Sequence, residues 1–553
     1  MSTQPDFIPV PEQIVIFDNI KTGTGHSVVN AVAGSGKSTT IVRGINVIPN
    51  RTSRKIAIIV YNKHIRDALK DKLPKSVTVA TSHSLGLNCI NRMCYDRHNR
   101  IAEVDASAKV LRGRIEKYAF DNYWFGASKD GQPLTWAAME KEEERRNADY
   151  LRLLNELMDK CYAELAVKRD DIARVALKYD YVEFTGNDFA RLEGLFSFLY
   201  FDNPLHLLYV SFNEMVFLPA MGLVPVHTYD YLFVDEAQDL SRGQQMLTQR
   251  ALKPNGRRFA VGDPYQAIYS FAGADSESFQ WFVDQATNNL PLSCCFRCGS
   301  RIIELAQTIV PHIRAFPGAP AGVVRYGSYR EAESGDYVLC RFNAPLIGLT
   351  FRYIRDKKKA NMKGTDIGKQ LLNLIEDYKK FSLEQLTLQL DRDLSTLRDK
   401  LIASGMKPEE AELSGRYQSM LEKVLTIQAI AEQVKSTEKL IRGIEYIFAD
   451  DIEGITLSSV HRSKGLEARR VYILLDDLMP AFQAKTPEQI KQEWNLIYVA
   501  YTRAKAELIF INDFTEVKVY DEKSLTRSKR LNAFLGIPEP ADEPLPNTAS
   551  IWE

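Results

Sequence analysis

Short apolar runs alternate along the chain with longer segments whose apolar residues recur at helical spacing, a pattern typical of α/β proteins. The runs are continuous and rich in β-branched residues, so they predict buried strands of parallel sheets. The predicted strands are Ile56–Tyr61, Val77–Ala80, Tyr231–Val234, Arg258–Val261, Tyr337–Cys340, Ile455–Ser458, Val471–Leu475 and Leu508–Ile511. A further apolar run, Val28–Ala33, leads into a Gly-rich segment and then into a helical one.

Two long blocks, 85–225 and 376–450, interrupt this alternation with charged sequence of mostly helical period. They predict helical insertions in two α/β units, each built on a parallel sheet. The predicted boundaries are 1–84 and 226–290 for the first α/β unit, 85–225 for its insertion, 291–375 and 451–515 for the second unit, 376–450 for its insertion, and 516–553 for a flexible tail.

Composition places the chain among ordinary globular proteins. Its 553 residues suggest about three or four domains. Hydrophobic residues make up 45% and charged residues 26%, which excludes wholesale disorder. Lys and Arg number 71, as do Asp and Glu, so a polycation is excluded as well. A nucleic-acid-binding protein of this composition has to concentrate its positive charge in a groove.

Seven cysteines, an odd number, are scattered along the chain, and Cys294, Cys295 and Cys298 lie close together. No second Cys or His pair completes a metal set, so we interpret them as reduced thiols rather than as a zinc or iron–sulfur site. The N-terminus has no signal-peptide pattern, and no apolar run approaches the ~20 residues of a membrane span. We therefore expect a soluble cytoplasmic protein.

The Gly-rich segment Ala31–Ser38, AVAGSGKS, matches the phosphate-loop pattern GxxxxGK[ST] except that Ala31 replaces the first Gly. Glycines let backbone N–H groups turn onto phosphate oxygens, and the following helix directs its positive end to the same place. Lys37 then reaches the β- and γ-phosphates, and the Ser38 hydroxyl holds Mg²⁺. A plain Gly-rich turn is the alternative, and the position between a strand and a helix favours the phosphate loop.

The run Tyr231–Leu240, YLFVDEAQDL, brings two carboxylates to the end of a predicted strand. Ligands of α/β sheets bind at the carboxyl ends of the strands. Asp235 suits the Mg²⁺ shell, and Glu236 suits a general base that deprotonates the attacking water. Alone, the pair could cap a helix. Together with the phosphate loop it favours nucleotide hydrolysis over nucleotide binding only.

Four later segments, in a fixed order, identify a family resemblance: AVGDPYQAIYSFAGA (260–274), LPLSCCFRCGS (290–300), TLSSVHRSKGLE (456–467) and WNLIYVAYTRAK (494–505). With the phosphate loop and DEAQD they resemble the motifs of superfamily 1 DNA helicases of the Rep/UvrD branch. The resemblance spans roughly residues 8–515 and is strongest to the helicase part of F-box DNA helicases and their bacterial and phage relatives. No F-box is expected, because the motifs begin near residue 11. The resemblance implies two RecA-like domains.

The resemblance also implies an ATP site with Mg²⁺. Gln13 matches the residue that hydrogen-bonds adenine, and Phe296 stands where the family has a stacking Tyr. Gln266 matches the γ-phosphate sensor. The implied catalytic residues are Lys37, Glu236, Gln266, Arg297 and Arg503, the last two as arginine fingers. The implied nucleotide-binding residues are Gln13, Ala33, Gly34, Ser35, Gly36, Lys37, Ser38, Thr39, Phe296, Gly465 and Glu467, and the implied metal ligands are Ser38 and Asp235.

A third set of residues matches the family's strand-binding motifs. It consists of Tyr61, Asn62, Lys63, Thr81, His83, Tyr269, Phe271, His461 and Arg462. The family has Trp then Arg where this chain has Phe271 and Ala272. Phe271 keeps an aromatic face for base stacking, whereas the loss of the Arg at Ala272 weakens the match there. Core packing of the aromatic residues and solvated faces for the basic ones are the alternatives.

The resemblance therefore implies an enzyme that couples ATP hydrolysis between two RecA-like domains to 3′→5′ movement on single-stranded DNA and to strand separation. Its expected partners are single strands and single-strand/duplex junctions; it is expected to be a monomer without membrane contact, with a role in DNA repair, replication or recombination. The alternatives are a translocase that displaces proteins, an ATP-gated clamp, a motor of opposite polarity or on RNA, a helicase–nuclease, and a P-loop kinase. About 40 residues follow the last motif, too few for a nuclease domain, and a kinase does not explain Gln266, Arg297 and Arg503.

Overall fold

The computed structural model describes residues 8–128, 130–202, 208–268, 277–449, 453–481, 484, 486–514 and 529–536. The chain divides into two compact units. The first unit comprises Met1–Asn30, Lys37–Gly262 and Tyr269–Pro291, and the second comprises Ala31–Gly36, Asp263–Ile268 and Leu292–Glu553. No helix of the described residues is long and apolar enough to cross a membrane.

The first unit is built on a parallel sheet. Among its described residues the strands are β1 (Ser27–Ala31), β2 (Ile56–Val60), β3 (Val77–Thr81), β4 (Glu103–Asp105), β5 (Tyr209–Ser211), β6 (Tyr229–Val234), β7 (Leu252–Gly262) and β8 (Asn288–Leu292). Six of them form one sheet in the order β3-β2-β6-β7-β1-β8. The pairs from β3 to β1 are parallel, and every residue of β2 is buried, as expected for a strand covered on both faces.

Eleven described helices belong to the first unit: α1 (Pro11–Thr22), α2 (Lys37–Asn46), α3 (Lys63–Lys70), α4 (Ser82–His98), α5 (Lys109–Asp121), α6 (Lys141–Glu164), α7 (Arg169–Lys178), α8 (Gly186–Phe196), α9 (Glu214–Met221), α10 (Arg242–Arg250) and α11 (Ser278–Asp284). Helices α4 to α9 interrupt the sheet between β3 and β6. Their buried residues, such as Leu154, Phe196 and Phe217, form a hydrophobic cluster distinct from the one beneath the sheet.

The second unit repeats the parallel design. Its described strands are β9 (Cys294–Cys295), β10 (Arg314–Ala315), β11 (Val323–Gly327), β12 (Tyr337–Cys340), β13 (Ala360–Met362), β14 (Ile455–Ser459), β15 (Ala468–Ile473) and β16 (Ala504–Ile511). The six strands from β11 to β16 form a sheet in the order β11-β16-β15-β12-β14-β13, and all its neighbouring pairs are parallel.

The described helices of the second unit are α12 (Ser300–Ala306), α13 (Asn343–Arg355), α14 (Thr365–Ile375), α15 (Leu383–Ala403), α16 (Pro408–Leu413), α17 (Gly415–Ala431), α18 (Thr437–Ile447), α19 (Pro487–Tyr501) and α20 (Lys529–Leu535). Helices α15 to α18 form the insertion. Its Leu390 and Ile427 join sheet residues such as Val338 and Leu457 in one hydrophobic cluster. This insertion therefore shares its core with the sheet, whereas most of the first insertion packs in a cluster of its own and only residues of α4 and α9, such as Leu85 and Val216, join the cluster of the first sheet.

The predicted fold class is confirmed: both units are parallel α/β structures with helical insertions. The sequence pattern missed seven described strands: β4, β5, β9, β10 and β13, which have only two or three residues, and the five-residue strands β8 and β11. Most of the predicted tail, 516–553, lies outside the described residues. Within it, α20 departs from the prediction of a flexible segment, because Leu531 is fully buried and Arg530 forms a 2.9 Å ion pair with Asp476.

Candidate nucleotide and DNA sites

The Gly-rich turn connects β1 to α2. Gly34 and Gly36 have φ angles of +66° and +79°, in the left-handed region that favours glycine. The Gly34 carbonyl accepts a 2.9 Å hydrogen bond from the backbone N–H of Phe296. A Cβ at Gly34 would lie 2.7 Å from Cβ of Arg297 and 2.9 Å from Sγ of Cys295, so no side chain fits there. The turn is therefore fixed both by its own backbone and by the segment around Phe296.

The first turn of α2 lies beside the carboxyl end of β6 within the first unit. The Lys37 ammonium forms an ion pair with Glu236, with Nζ at 3.0 Å from Oε1 and 3.1 Å from Oε2. The Ser38 hydroxyl lies 3.5 Å from Oδ2 of Asp235. The structure thus brings together four of the predicted catalytic and metal-binding residues.

The two acidic residues differ in environment. Asp235 is buried, and burial followed by the charge of Glu236 raises its pKa above the usual range, although Lys37 acts in the opposite direction. Glu236 adopts a left-handed conformation with φ +50°, which is unusual for a residue with a side chain. Its Oε2 also accepts a 2.6 Å hydrogen bond from the Gln238 amide.

The residues present fit a magnesium–phosphate group. A hydroxyl and a carboxylate are the oxygen ligands that Mg²⁺ takes from a protein alongside phosphate oxygens and water. The Ser35 hydroxyl is buried in the turn and, in the part of the chain that the structure describes, has no hydrogen-bond partner. Such an unpaired buried group is uncommon and is satisfied by a ligand that brings its own acceptors.

Gln13, predicted to contact adenine, lies in the first turn of α1 and is buried. Its Nε2 donates a 2.9 Å hydrogen bond to Oγ1 of Thr40 in α2, and its Oε1 accepts from the backbone N–H of Val10 at 3.1 Å. The side chain therefore links the N-terminal segment to the phosphate-loop helix. Its contact with adenine stays a prediction.

Arg503 follows α19 in the second unit and is 1% exposed. Its guanidinium donates to the carbonyls of Val499 at 3.0 Å and Leu466 at 3.2 Å. A third bond of 3.4 Å reaches Oε1 of Gln266. The structure thus brings one predicted arginine finger to the predicted γ-phosphate sensor.

Tyr498 was not predicted as a site residue, yet its hydroxyl lies at the centre of this cluster. It accepts a 2.8 Å hydrogen bond from the backbone N–H of Ala33 and donates one of 3.2 Å to Oδ2 of Asp263. The same Oδ2 accepts from the Gln266 amide at 2.9 Å. Burial, then the charge of Asp263, raises the pKa of Tyr498, so the hydroxyl stays protonated. We call Ala33, Tyr498, Asp263, Gln266 and Arg503 the tyrosine relay.

Arg297, a predicted arginine finger, forms an ion pair with Glu467, a predicted nucleotide-binding residue. Nε of Arg297 lies 2.6 Å from Oε2 of Glu467, and Nζ of Lys505 lies 2.6 Å from Oε1. Burial alone would raise the pKa of Glu467, but Lys505 and Arg297 together lower it. Gly465, the other predicted residue of this segment, has φ +84°.

Phe296, the predicted adenine-stacking residue, is 42% exposed. Its ring centroid lies 5.0 Å from that of Phe316, which is also exposed. Phe316 was missed because a single Phe in a Pro- and Gly-rich stretch carries no signal. The pair offers two aromatic faces at the surface, as a planar base requires.

The predicted strand-binding residues of the first unit fall into two groups. Tyr61, after β2, is 46% exposed, and burial of part of its side chain with the charges of Asp239 and Glu236 raises its pKa to about 12. Asn62 instead caps α3, because its Oδ1 accepts from the backbone N–H of Ile65 at 2.9 Å. Lys63 is the first residue of that helix.

Thr81 and His83, from the next predicted strand-binding motif, also make contacts that stabilise the fold. Thr81 caps α4 through Oγ1, which accepts from the backbone N–H of Ser84 at 3.1 Å. His83 stacks on Phe212 with ring centroids 3.8 Å apart, and burial lowers its pKa to about 4, so the ring is neutral near pH 7. DNA contacts by these residues stay predictions.

In the second unit, His461 and Arg462 lie in a short helical turn after β14. The Arg462 guanidinium pairs with Asp366 through both of its terminal nitrogens. Burial, then Arg341 and Arg462, lowers the pKa of His461 well below its usual range. Tyr269 and Phe271 lie outside the described residues.

The structure has two parallel α/β units, a phosphate-type turn between β1 and α2, and a Lys–Ser–Asp–Glu cluster at the ends of β1 and β6. Together these features define a P-loop nucleotide hydrolase. Comparison with known families refines this class. Residues 16–287 match the UvrD/REP helicase N-terminal domain, and residues 352–513 match the UvrD-like helicase C-terminal domain. Together these matches cover more than three quarters of the chain, which belongs to the UvrD/Rep family of ATP-dependent DNA helicases.

Three relatives illustrate the similarity. F-box DNA helicase protein 1 of Schizosaccharomyces pombe is 26% identical over 53% of this chain and 34% of its own length. F-box DNA helicase 1 of Gallus gallus is 22% identical over 87% of this chain and 47% of its own length. The chain thus spans between a third and a half of these two relatives. The ATP-dependent DNA helicase Rep of Buchnera aphidicola is 20% identical over 89% of this chain and 93% of its own length.

Proposed function

We propose that this protein hydrolyses ATP to move 3′→5′ along single-stranded DNA and to separate duplex strands. The observation that carries the proposal is the cluster in which Lys37 pairs with Glu236 while Ser38 approaches Asp235. Each of these side chains has a distinct role in nucleotide hydrolysis, and a protein that only binds nucleotide has no need of the glutamate.

Within this proposal, ATP binds through its phosphates at the Gly-rich turn. Ser38 and Asp235 would hold Mg²⁺, which would supply positive charge to the phosphate oxygens. The Lys37 ammonium leaves the Glu236 carboxylate for the phosphates, since these carry more negative charge. Glu236 is then available to orient a water molecule and accept its proton.

Gln266, Arg297 and Arg503 stabilise the negative charge that develops on the transferred phosphoryl group. The relay supports this role for Arg503, because backbone carbonyls and Gln266 fix the guanidinium before any ligand arrives. Tyr498 acts as a positioning residue: its hydroxyl ties Asp263, and through it Gln266, to the Ala33 backbone. Phe296 and Gln13 bind the adenine.

The substrate is single-stranded DNA or a junction of single strand and duplex, bound by a monomer. The proposed strand contacts are Tyr61, His461 and Arg462, together with Tyr269 and Phe271, which lie outside the described residues. The exposed Tyr61 ring supports stacking with a base, which every base allows.

A strand-separation assay tests the proposal. Duplexes with a 3′ single-stranded tail, a 5′ tail or none are mixed with the protein and ATP, with Glu236→Gln as the inactive control. We expect unwinding of the 3′-tailed duplex only. Unwinding of the 5′-tailed duplex would overturn the polarity. ATP-dependent removal of a tail-bound protein without unwinding would replace the helicase by a protein-displacing translocase, and an equal response to RNA tails would overturn the DNA preference.

A further inference from the structure

We infer that Asp366 is an affinity-determining residue that occupies, on the Arg462 guanidinium, the position of a strand phosphate. Arg462 is one of the proposed strand contacts, so the inference rests on the proposed function and deepens it. A single strand of DNA has to displace this carboxylate before one of its phosphates can bind Arg462. Asp366 therefore weakens strand binding, and its removal strengthens it.

Asp366 and Arg462 follow two neighbouring strands of the second sheet. Strand β13 ends at Met362 and β14 at Ser459, and the two strands pair in parallel with Met362 opposite Leu457. Arg462 lies in the short turn after β14, and Asp366 lies in the first turn of α14, after β13. Both residues are therefore at the carboxyl edge of the sheet, where α/β sheets bind their ligands.

The turn between β13 and α14 brings the carboxylate to the guanidinium. The backbone N–H of Lys363 donates a 2.9 Å hydrogen bond to the Leu457 carbonyl, which continues the pairing of the two strands. Gly364 then turns the chain with a φ of +135°, a conformation that favours glycine. A Cβ at Gly364 would lie 3.5 Å from Cδ of Arg462, so this turn packs closely on the arginine side chain.

The contact has the geometry in which arginine binds a phosphate. Nη1 of Arg462 donates to Oδ1 of Asp366, and Nη2 donates to Oδ2, so two hydrogen bonds join the two groups. Guanidinium groups bind carboxylates and phosphates in this same bidentate manner. The hydrogen bond from Arg462 is also the largest cause that lowers the pKa of Asp366, so the carboxylate stays ionised.

The pair is open to solvent, which allows an exchange of partners. The Asp366 side chain is 59% exposed and the Arg462 side chain 32% exposed. An ion pair between exposed side chains contributes little to stability, because each charge is also well solvated alone. Arg341, which follows β12, instead pairs with Glu493, and those side chains are only 17% and 7% exposed. Of the two arginines, Arg462 is therefore the one that a phosphate from solvent displaces more readily from its carboxylate.

The turn that carries Arg462 also contacts the tyrosine relay. Nζ of Lys464 donates a 2.6 Å hydrogen bond to the Gln266 carbonyl, and Gln266 is the proposed γ-phosphate sensor. We therefore expect the exchange at Arg462 to affect DNA-stimulated hydrolysis as well as binding. A strand that binds more tightly should half-saturate the stimulation at a lower DNA concentration.

A double-mutant cycle tests the exchange, with a fluorescently labelled single-stranded oligothymidine as the probe. At low salt we expect Asp366→Asn to bind the probe about three- to fivefold more tightly than wild type, the scale of an exposed ion pair. In an Arg462→Gln background the same change should have no further effect. Tightening that persists without Arg462 would show general charge repulsion and overturn the inference. Weaker binding by Asp366→Asn would also overturn it, because the carboxylate would then orient Arg462 for the strand.

Two further variants separate the charge from the structure around it. Asp366→Glu keeps a carboxylate, so its affinity should stay closer to wild type than that of Asp366→Asn, and equal tightening in both would contradict the role of the charge. Asp356→Asn is the matched control, because Asp356 pairs with Arg352 at 3.4 Å in the same unit, with side chains 38% and 30% exposed. This control should bind the probe as wild type does, and equal tightening in it would refute the assignment to Asp366.

ATP hydrolysis is then measured on the same proteins over a range of DNA concentrations. The half-saturating DNA concentration of Asp366→Asn should fall by the same factor as its dissociation constant. If wild type neither binds the probe nor hydrolyses ATP faster with DNA, the proposed function fails, and the role of Asp366 fails with it. If wild type does both while Asp366→Asn does not bind more tightly, only the role of Asp366 is refuted.

Discussion

Two residues with proposed catalytic roles, Lys37 in the first unit and Arg503 in the second, are held by different kinds of contact. Lys37 forms an ion pair of 3.0 Å with Glu236, its own proposed partner in hydrolysis. Arg503 is fixed by the carbonyl oxygens of Val499 and Leu466 and by the Gln266 amide oxygen. An ammonium on a flexible chain changes partners readily, whereas a planar guanidinium bonded on several edges keeps its orientation.

The comparison assigns different tasks to the two residues. In the proposed mechanism, Lys37 exchanges the Glu236 carboxylate for the phosphates, so its charge decides whether phosphate binds and whether Glu236 is released. In the same mechanism, Arg503 contributes a preorganised charge that needs no rearrangement at the moment of reaction, which is the property that makes electrostatic stabilisation effective. The two substitutions should therefore have different effects: loss of Lys37 should impair nucleotide binding as well as turnover, and loss of Arg503 mainly turnover.

The largest effect is expected for Lys37→Ala. Without the ammonium, the Asp235 and Glu236 carboxylates repel the phosphates, so both nucleotide binding and DNA-stimulated turnover should fall to background. Phosphate release and binding of a fluorescent ATP analogue measure the two effects. Lys253→Ala is the matched control, because Lys253 also pairs with a carboxylate of the first unit, Asp230, at 2.9 Å. Turnover retained in Lys37→Ala would remove the phosphate-loop assignment.

Arg503→Ala should come next, with turnover lowered by at least ~10³, the scale of arginine-finger effects. Nucleotide binding should change far less than in Lys37→Ala, since the charge acts mainly on the transition state. Arg530→Ala provides the control: this arginine of the same unit pairs with Asp476 at 2.9 Å, outside the relay. A loss below tenfold in Arg503→Ala, or an equal loss in both variants, would contradict the role.

Glu236→Gln should lower turnover by about 10²-fold or more, the contribution of a positioned general base. The amide preserves the shape of the side chain and removes its charge, so Lys37 is freed for phosphate and ATP should bind as well or more tightly. A binding titration beside single-turnover hydrolysis separates the two. Normal hydrolysis in this variant would exclude Glu236 as the base.

Tyr498→Phe should have the smallest effect, a loss of turnover of about tenfold, or ~1.4 kcal/mol. The change removes one hydroxyl and leaves the Ala33 N–H and Asp263 without that partner. Tyr501→Phe is the matched control in the same helix, since its buried hydroxyl bonds Asp476 at 3.1 Å. We expect similar losses of melting temperature in both variants, but a change in kcat only in Tyr498→Phe. Equal kinetics in the two would reduce Tyr498 to a structural residue.

The sequence predicted best where the chemistry is local. Lys37 and Ser38 follow a Gly-rich turn, and Asp235 and Glu236 follow a strand, so a few adjacent residues determine where those side chains point. Ala33, Gln266 and Arg503 of the relay were predicted, but Tyr498 escaped prediction because it lies 465 residues from Ala33 in the chain. Nothing in a helical run of apolar residues tells which buried tyrosine meets a backbone N–H of the phosphate loop.

Local signals were also open to a second interpretation. Asn62 and Thr81 stand immediately before helices, where Asn and Thr side chains accept hydrogen bonds from backbone N–H groups. The family resemblance assigned them to DNA, and the structure uses both as helix caps. Strand β7 was predicted only over Arg258–Val261, because its polar beginning, Leu252 to Arg257, hides the full extent of Leu252–Gly262.

The left-handed backbone of Glu236 has a consequence for how this protein can change. An L-residue in that conformation is less stable by roughly 1–2 kcal/mol than in an ordinary one, and glycine relieves the difference. Selection for a sturdier fold alone would therefore favour losing this carboxylate. The presence of Glu236 in so unfavourable a conformation therefore marks a position where stability is lower than it could be and a chemical group is kept. Laboratory evolution for thermal stability, without a screen for activity, should produce inactive variants at this position first.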